Sequence, residues 1–253
     1  MKSTIRAYDE RRDIAIPGNQ AAAIKFSIDH FIECANIAID DHGYFAVALS
    51  GGSTPKAIFH GLSSPAFRDQ VDWSRVVLFW SDERCVPPDH SDSNYHMAME
   101  AGFSTLPIPI ENIFRMKGED DPEESALKYE KIIADKLGGA PLDLVMLGMG
   151  SDGHTASLFP KTHGLHPAKD RLAIANYIPQ LDTWRLTLTF RCINEADYIA
   201  IYVLGTQKAE MVKKVFNGTF DPDIYPVQNI GTARNHALWI MDDDAAALLS
   251  ISK

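Results

Sequence analysis

The stretch Tyr44-Phe-Ala-Val-Ala-Leu-Ser-Gly-Gly-Ser-Thr-Pro55 places a short unbroken apolar run directly before two glycines, three hydroxyls and a proline. Apolar side chains at successive positions mark a strand covered on both faces, the pattern of buried parallel sheets. The polar segment after it reads as a turn from strand into helix. Thr54 is the expected N-cap and Pro55 the first helical residue, where a missing N–H costs nothing. Similar apolar runs recur at 76–80, 142–147, 172–175, 186–190, 198–204 and 237–241. Helical patterning separates most of them, at 54–62, 92–101, 122–137, 207–216 and 242–249. Strands alternating with helices predict an α/β fold with a mainly parallel sheet, whose ligand site lies beyond the carboxyl ends of the strands.

On the amino side of that unit, Asn19 can cap a helix that carries Ala22, Phe26, Phe31 and Ile37 on its apolar face and ends near Gly43. The residues before it have no regular pattern. No internal repeat, low-complexity tract or long Gly/Ser linker interrupts the chain, so one domain over 1–253 is expected.

With 45% hydrophobic, 23% charged and 9% aromatic residues, the composition is that of a folded globular protein and not of a disordered one. The longest apolar runs, such as 198–204, fall far short of the ~20 residues that cross a bilayer, and the start MKSTIRAYDERRD has no apolar signal-peptide segment. No membrane partner is expected. Cys34, Cys85 and Cys192 are widely spaced, with no C-x-x-C, which predicts neither a disulfide framework nor a zinc knuckle and fits a reducing cytoplasm. A formal charge of -10 argues against nucleic acid as a partner. It leaves room for a small anion, because surface charge is screened within ~8 Å at physiological ionic strength.

Three loops and one lysine carry the chemistry. In the first, Gly51 and Gly52 bring the backbone close to a ligand, while helix N–H groups and the hydroxyls of Ser50, Ser53 and Thr54 form an anion cradle. It is not a Walker A loop, since no lysine follows the glycines, nor a nucleophile elbow, since Ala48 stands two positions before Ser50. In the second, Asp82, Glu83 and Arg84 appear together at a strand end, with Arg84 offering a planar fork for phosphate and the acids able to orient it or handle protons. The third, Leu147-Gly-Met-Gly-Ser-Asp-Gly-His-Thr-Ala-Ser-Leu-Phe-Pro160, spells G-x-G-x-x-G. A dinucleotide site is nevertheless not expected, because that fingerprint belongs to a first βα unit with an acid ending the next strand, whereas Asp170 precedes its apolar run. His154 instead reads as a general base whose tautomer Asp152 sets. A metal set of Asp152, His154, His163 and His166 matches no familiar zinc spacing. Lys208, in the first turn of a helix after another buried strand, opposes the helix dipole and so suggests an anionic ligand; Arg185, opening the strand at 186–190, is a weaker candidate.

In order and spacing, SGGSTP, WSDERCVPPDHSDSNY, LGMGSDGHTASLFP and GTQKAE resemble the 6-phosphogluconolactonase family. They are similar, more loosely, to the glucosamine-6-phosphate deaminase/isomerase family, which shares the first and third loops. The resemblance spans about residues 45 to 215. It implies a Rossmann-like α/β fold, hydrolysis of 6-phospho-D-glucono-1,5-lactone, and no cofactor. It further implies His154 as catalytic histidine, Gly51, Gly52, Ser53 and Thr54 as phosphate loop, and Arg84 and Lys208 as phosphate-binding cations. The isomerase branch is similar up to a D-E-Y motif and a carboxylate just before the third-loop proline. This chain has Arg84 and Phe159 at those places, which favours the lactonase. The segment 225–229 carries no such motif.

Overall fold

The central unit folds as its pattern requires in the computed structural model, which describes residues 5–250. Residues 1–4 and 251–253 of the expected domain, and with them the very start of the N-terminal stretch, lie outside the described residues. In chain order the elements are β1 (Arg6–Ala7), β2 (Arg12–Ala15), α1 (Gln20–His42), β3 (Phe45–Leu49), α2 (Ser53–Leu62), β4 (Val76–Trp80), β5 (Asp82–Arg84) and α3 (Asn94–Glu100). There follow α4 (Pro122–Leu137), β6 (Leu144–Gly148), β7 (Ala173–Ile178), β8 (Thr183–Leu188), α5 (Phe190–Glu195), β9 (Tyr198–Val203), α6 (Ala209–Asn217) and β10 (Ala237–Met241). Short 3-10 turns link several of them.

A seven-stranded sheet runs β1-β2-β10-β9-β6-β3-β4, parallel throughout except for β1 at its edge. Because successive strand side chains point to opposite faces, each apolar run feeds two cores. Phe45, Val47 and Leu49 of β3 join α1, α2 and α3 on one face, whereas Ala46 and Ala48 join α4, α5 and α6 on the other. Fully burying one such large apolar side chain stabilises the fold by about 1.5–3 kcal/mol, so neither face of a central strand tolerates a polar residue easily. The chain passes from β3 outward to β4 and then returns to place β6 on the other side of β3. That reversal makes the carboxyl ends of β3 and β6 the switch point, where open α/β sheets bind ligands.

Caps set the helix limits. Asn19 accepts from Ala22 N at 3.1 Å, and Gly43 closes α1 in the left-handed region at φ 94°. Asp121 and Gly138 bound α4 over its expected span.

Other expectations need correction. Gly52, not Thr54, is the N-cap of α2, which puts Pro55 two positions further into the first turn. The buried stripe of α1 runs through Ala23, Ser27, Phe31, Cys34 and Ala38, leaving Ile37 exposed. The strand expected at 186–190 spans Thr183–Leu188, because Thr189 caps α5 through Cys192 N, so Arg185 lies inside the strand and not at its start. With β5 and β7 that strand forms a separate antiparallel sheet in the order β5-β8-β7. Residues 242–249 form turns and not the expected helix, and the Asp242 carboxylate, by accepting from Gly205 N, ties their start to the end of β9. The irregular start contains β2, held parallel to β10.

Candidate active site

Loops leaving β3, β4, β6 and β9 meet in a cleft of about 240 Å³ at the switch point. Its wall takes Ser50, Gly51 and Gly52 from the first loop, Asp82 and Arg84 from the second, Gly150 and His154 from the third, and Lys208 from the fourth. Ser53 and Thr54 stand in the first turn of α2, beside these residues but not in the wall.

Both first-loop glycines have a steric reason. Gly52 adopts φ 103°, a region that L side chains enter only with strain. A Cβ on Gly51 would collide with the Asn94 side chain.

The second loop divides its charges. Glu83 is buried and accepts from Arg84 N, Asn94 N, Tyr95 N and Ser93 Oγ at 2.7 to 2.9 Å, so it holds the start of α3, whose N-cap is Ser93, and its hydrogen bonds serve that role. Burial pushes its carboxyl up, against the pull of those four donors. Asp82 is also buried: its Oδ2 accepts from Ser157 Oγ at 2.7 Å and its Oδ1 from Asn94 Nδ2 at 3.2 Å. Asp82 thereby locks the second loop to the third. Arg84 is half-buried, and its recorded side-chain contact is a long one, from Nη1 to Asp92 O at 3.4 Å, which leaves the fork available to a ligand. Arg185 is the cross-strand neighbour of Arg84 but does not line the cleft; its own burial and the adjacent Arg84 charge both press its guanidinium down from the ordinary value.

In the third loop His154 Nδ1 lies 2.6 Å from Asp152 Oδ1, which also accepts His154 N at 3.1 Å. A carboxylate at Nδ1 fixes the proton there and leaves the Nε2 lone pair free, and Nε2 has no hydrogen-bond partner among the described residues. Burial alone would raise the Asp152 carboxyl, but the hydrogen bond and charge of His154 outweigh it and hold the carboxyl below its ordinary range. Gly150 admits no side chain, because a Cβ there would strike His154 Nδ1 and Cε1. Lys208 ends a 3-10 turn just before α6 and donates from Nζ to Met149 O at 2.7 Å; burial lowers it, with Asp152 opposing. His163 and His166, which follow this loop in the sequence, are engaged elsewhere, His163 at Ala175 O and His166 at Asp223.

Two residues of this site escaped the sequence reading. Asn94 and Ser157 act through Asp82, a contact between loops that no local pattern displays. The segment 225–229 is a brace, with Tyr225 against Gly153 and Val227 N donating to Gly153 O at 3.0 Å. A larger cavity of about 490 Å³ lies at the opposite end of β6 and β9. Among its polar residues, Arg191 bonds to Glu195, and Asn194 donates to Asn229 O and accepts from Gly231 N.

A family model described as glucosamine-6-phosphate isomerases/6-phosphogluconolactonase matches residues 18–239. The chain belongs to that family. It is 36% identical over 245 residues to the 6-phosphogluconolactonase of Chlamydia pneumoniae, covering 96% of this chain and 93% of that protein. To the 6-phosphogluconolactonase of Nostoc it is 36% identical over 247 residues, covering 95% of this chain and all of that protein at 100%. Among solved structures, the devB protein superposes with a TM-score of 0.83 at 32% identity, over 94% of this chain and 99% of that one. The 6-phosphogluconolactonase of Thermotoga maritima gives 0.77 at 27% identity, over 90% and 98%. The family thus carries the Rossmann-like sheet found here.

Proposed function

We propose that this chain hydrolyses 6-phospho-D-glucono-1,5-lactone to 6-phosphogluconate, with His154 as general base. The observation that carries the reading is the 2.6 Å Asp152–His154 pair in the same switch-point cleft as Arg84, Lys208 and the 50–54 loop. Relatives named 6-phosphogluconolactonase over nearly the whole chain support the substrate.

The phosphate is held by the N–H groups and hydroxyls of Ser50, Gly51, Gly52, Ser53 and Thr54 together with Arg84 and Lys208, while Arg185 adds positive field behind Arg84. Asp82 acts through Asn94 and Ser157, keeping the loops in register. A water gives its proton to His154 Nε2 as its oxygen bonds to C1, and the carbonyl π pair moves onto the carbonyl oxygen. When that pair returns, the bond from C1 to the ring oxygen breaks and the imidazolium proton passes to the departing alkoxide. Lactone and water balance the reaction, so no redox partner or cofactor enters it. Asp152 keeps the imidazole in the accepting tautomer and stabilises the cation formed.

The partner is a small phosphosugar lactone. Among the described residues no helix is long and apolar enough to cross a membrane, and the three cysteines are free, which supports a reducing cytoplasm as the working compartment. The isomerase branch is the second reading, and Phe159 before Pro160, in place of a carboxylate, counts against it. Both readings are tested by offering purified protein the lactone and, separately, glucosamine 6-phosphate. Turnover of the lactone alone is expected; deamination of the amino sugar without lactone turnover would reverse the assignment.

A further inference from the structure

The ring of Phe159 lies flat on the imidazole of His154, with centroids 3.9 Å apart and planes inclined by 19°. Phe159 belongs to neither hydrophobic core, although its neighbour Leu158 is fully buried in one of them. Among the described residues His154 is its aromatic partner.

The loop is bent to achieve this. Ala156 takes a left-handed φ of 47°, a conformation that strains a non-glycine residue, and Thr155 pairs with Leu158 across the bend. Thr155 Oγ1 anchors one side to Gly148 O at 2.8 Å, and Thr162 Oγ1 anchors the other to Phe159 O at 2.8 Å. Asn176 Nδ2 holds Ser157 O between them at 2.9 Å. The fold accepts local strain and several hydrogen bonds, and the outcome is one phenyl ring over one imidazole.

With Asp152 at Nδ1 and Gly150 against the Nδ1–Cε1 edge, the phenyl ring closes the remaining freedom of the side chain, rotation out of its plane. We infer that Phe159 is a positioning residue for the base. It fixes the imidazole plane so that Nε2 faces the cleft, and it presents its negative π face to the imidazolium that forms when water gives up its proton. The inference rests on His154 being the base.

Removing the ring acts on the reaction step and not on phosphate binding. Phe159→Leu is expected to lower kcat by roughly 3- to 30-fold with KM unchanged, the range of a partly desolvated π contact. Phe159→Tyr, which keeps the ring, restores most of the loss. In NMR spectra the His154 Cε1–H is shifted upfield by the ring current in wild type and Phe159→Tyr, and loses that shift in Phe159→Leu. Thermal melts establish that each variant is folded, and Phe159→Met replaces Phe159→Leu should the latter not fold. Wild-type kcat in Phe159→Leu, an effect confined to KM, or equal loss in Phe159→Tyr would overturn the inference while inactive His154→Ala left the base in place. Full turnover by His154→Ala would instead remove the reading on which it rests.

Discussion

Two Asp–His pairs flank the same strand. Just before β6, His42 Nε2 lies 2.8 Å from Asp143 Oδ1; just after it, His154 Nδ1 lies 2.6 Å from Asp152 Oδ1. The first pair is a joint. Asp143 also accepts Ala46 N at 2.6 Å, so one carboxylate fastens the end of α1 to the start of β3, and burial pushes that carboxyl up. The second pair sits on a loop beside Lys208 and the free fork of Arg84, and its carboxyl is held below the ordinary range. The chemistry of the pair is the same at both ends. What differs is whether the outer ring nitrogen faces a cleft with cations, which depends on lying at the carboxyl end of a parallel sheet.

The largest effect expected from this contrast is at the second pair. His154→Ala should lose ~10²–10⁴-fold in kcat, the usual contribution of a general base, while His42→Ala keeps its turnover per folded molecule. Steady-state rates on both variants check this.

A third histidine extends the series. His30 is buried without a carboxylate and is pushed down to about 4 by desolvation. The folded value therefore lies below the unfolded one, the unfolded chain takes up the proton first, and stability falls as pH drops from the ordinary histidine value of 6.5 towards 4. At about 1.4 kcal/mol per unit, this loss is on the order of 3 kcal/mol. Urea midpoints of wild type and His30→Met should converge on acidification; parallel curves would contradict the assignment.

Charge at the cleft comes next. Arg84→Ala should raise KM by about tenfold to a hundredfold, as for loss of a charged hydrogen bond, with little change in kcat. A KM equal to wild type would remove Arg84 from phosphate binding. The smallest effect is at the joint, where Asp143→Ala should cost about 1–3 kcal/mol by leaving Ala46 N unpaired. Its kcat at a temperature where it is folded should match wild type.

What could be read from the sequence follows the same division. The strands β3, β4, β6, β9 and β10 were legible because burial on both faces writes an unbroken apolar run. The strand β2 was not, since Arg12 and Asp13 break the run, and Arg12 is buried through tertiary contacts with Asp9, Val215 O and the ring of Phe216. Residues 242–249 have helix-favouring composition, yet they form turns, and the Asp242 carboxylate at their start is engaged by a tertiary contact, accepting from Gly205 N. In the site, His154, Asp152, Gly51, Gly52, Arg84 and Lys208 announced themselves at strand ends. Glu83 misled, because a charge beside a cleft can equally hold the start of the next helix. Asn94, Ser157 and the Phe159 stack stayed hidden, since each depends on how separate loops meet or on the left-handed turn at Ala156.

The central claim is that position at the sheet end, and not the Asp–His pair itself, makes the base. It is tested most directly by generating the lactone in situ from glucose 6-phosphate and following its loss above the spontaneous rate with wild type, His154→Ala and His42→Ala. Wild type and His42→Ala should accelerate the reaction alike, and His154→Ala should fall behind by ~10²–10⁴-fold. A His154→Ala rate equal to wild type, or an equal loss in folded His42→Ala, would contradict it.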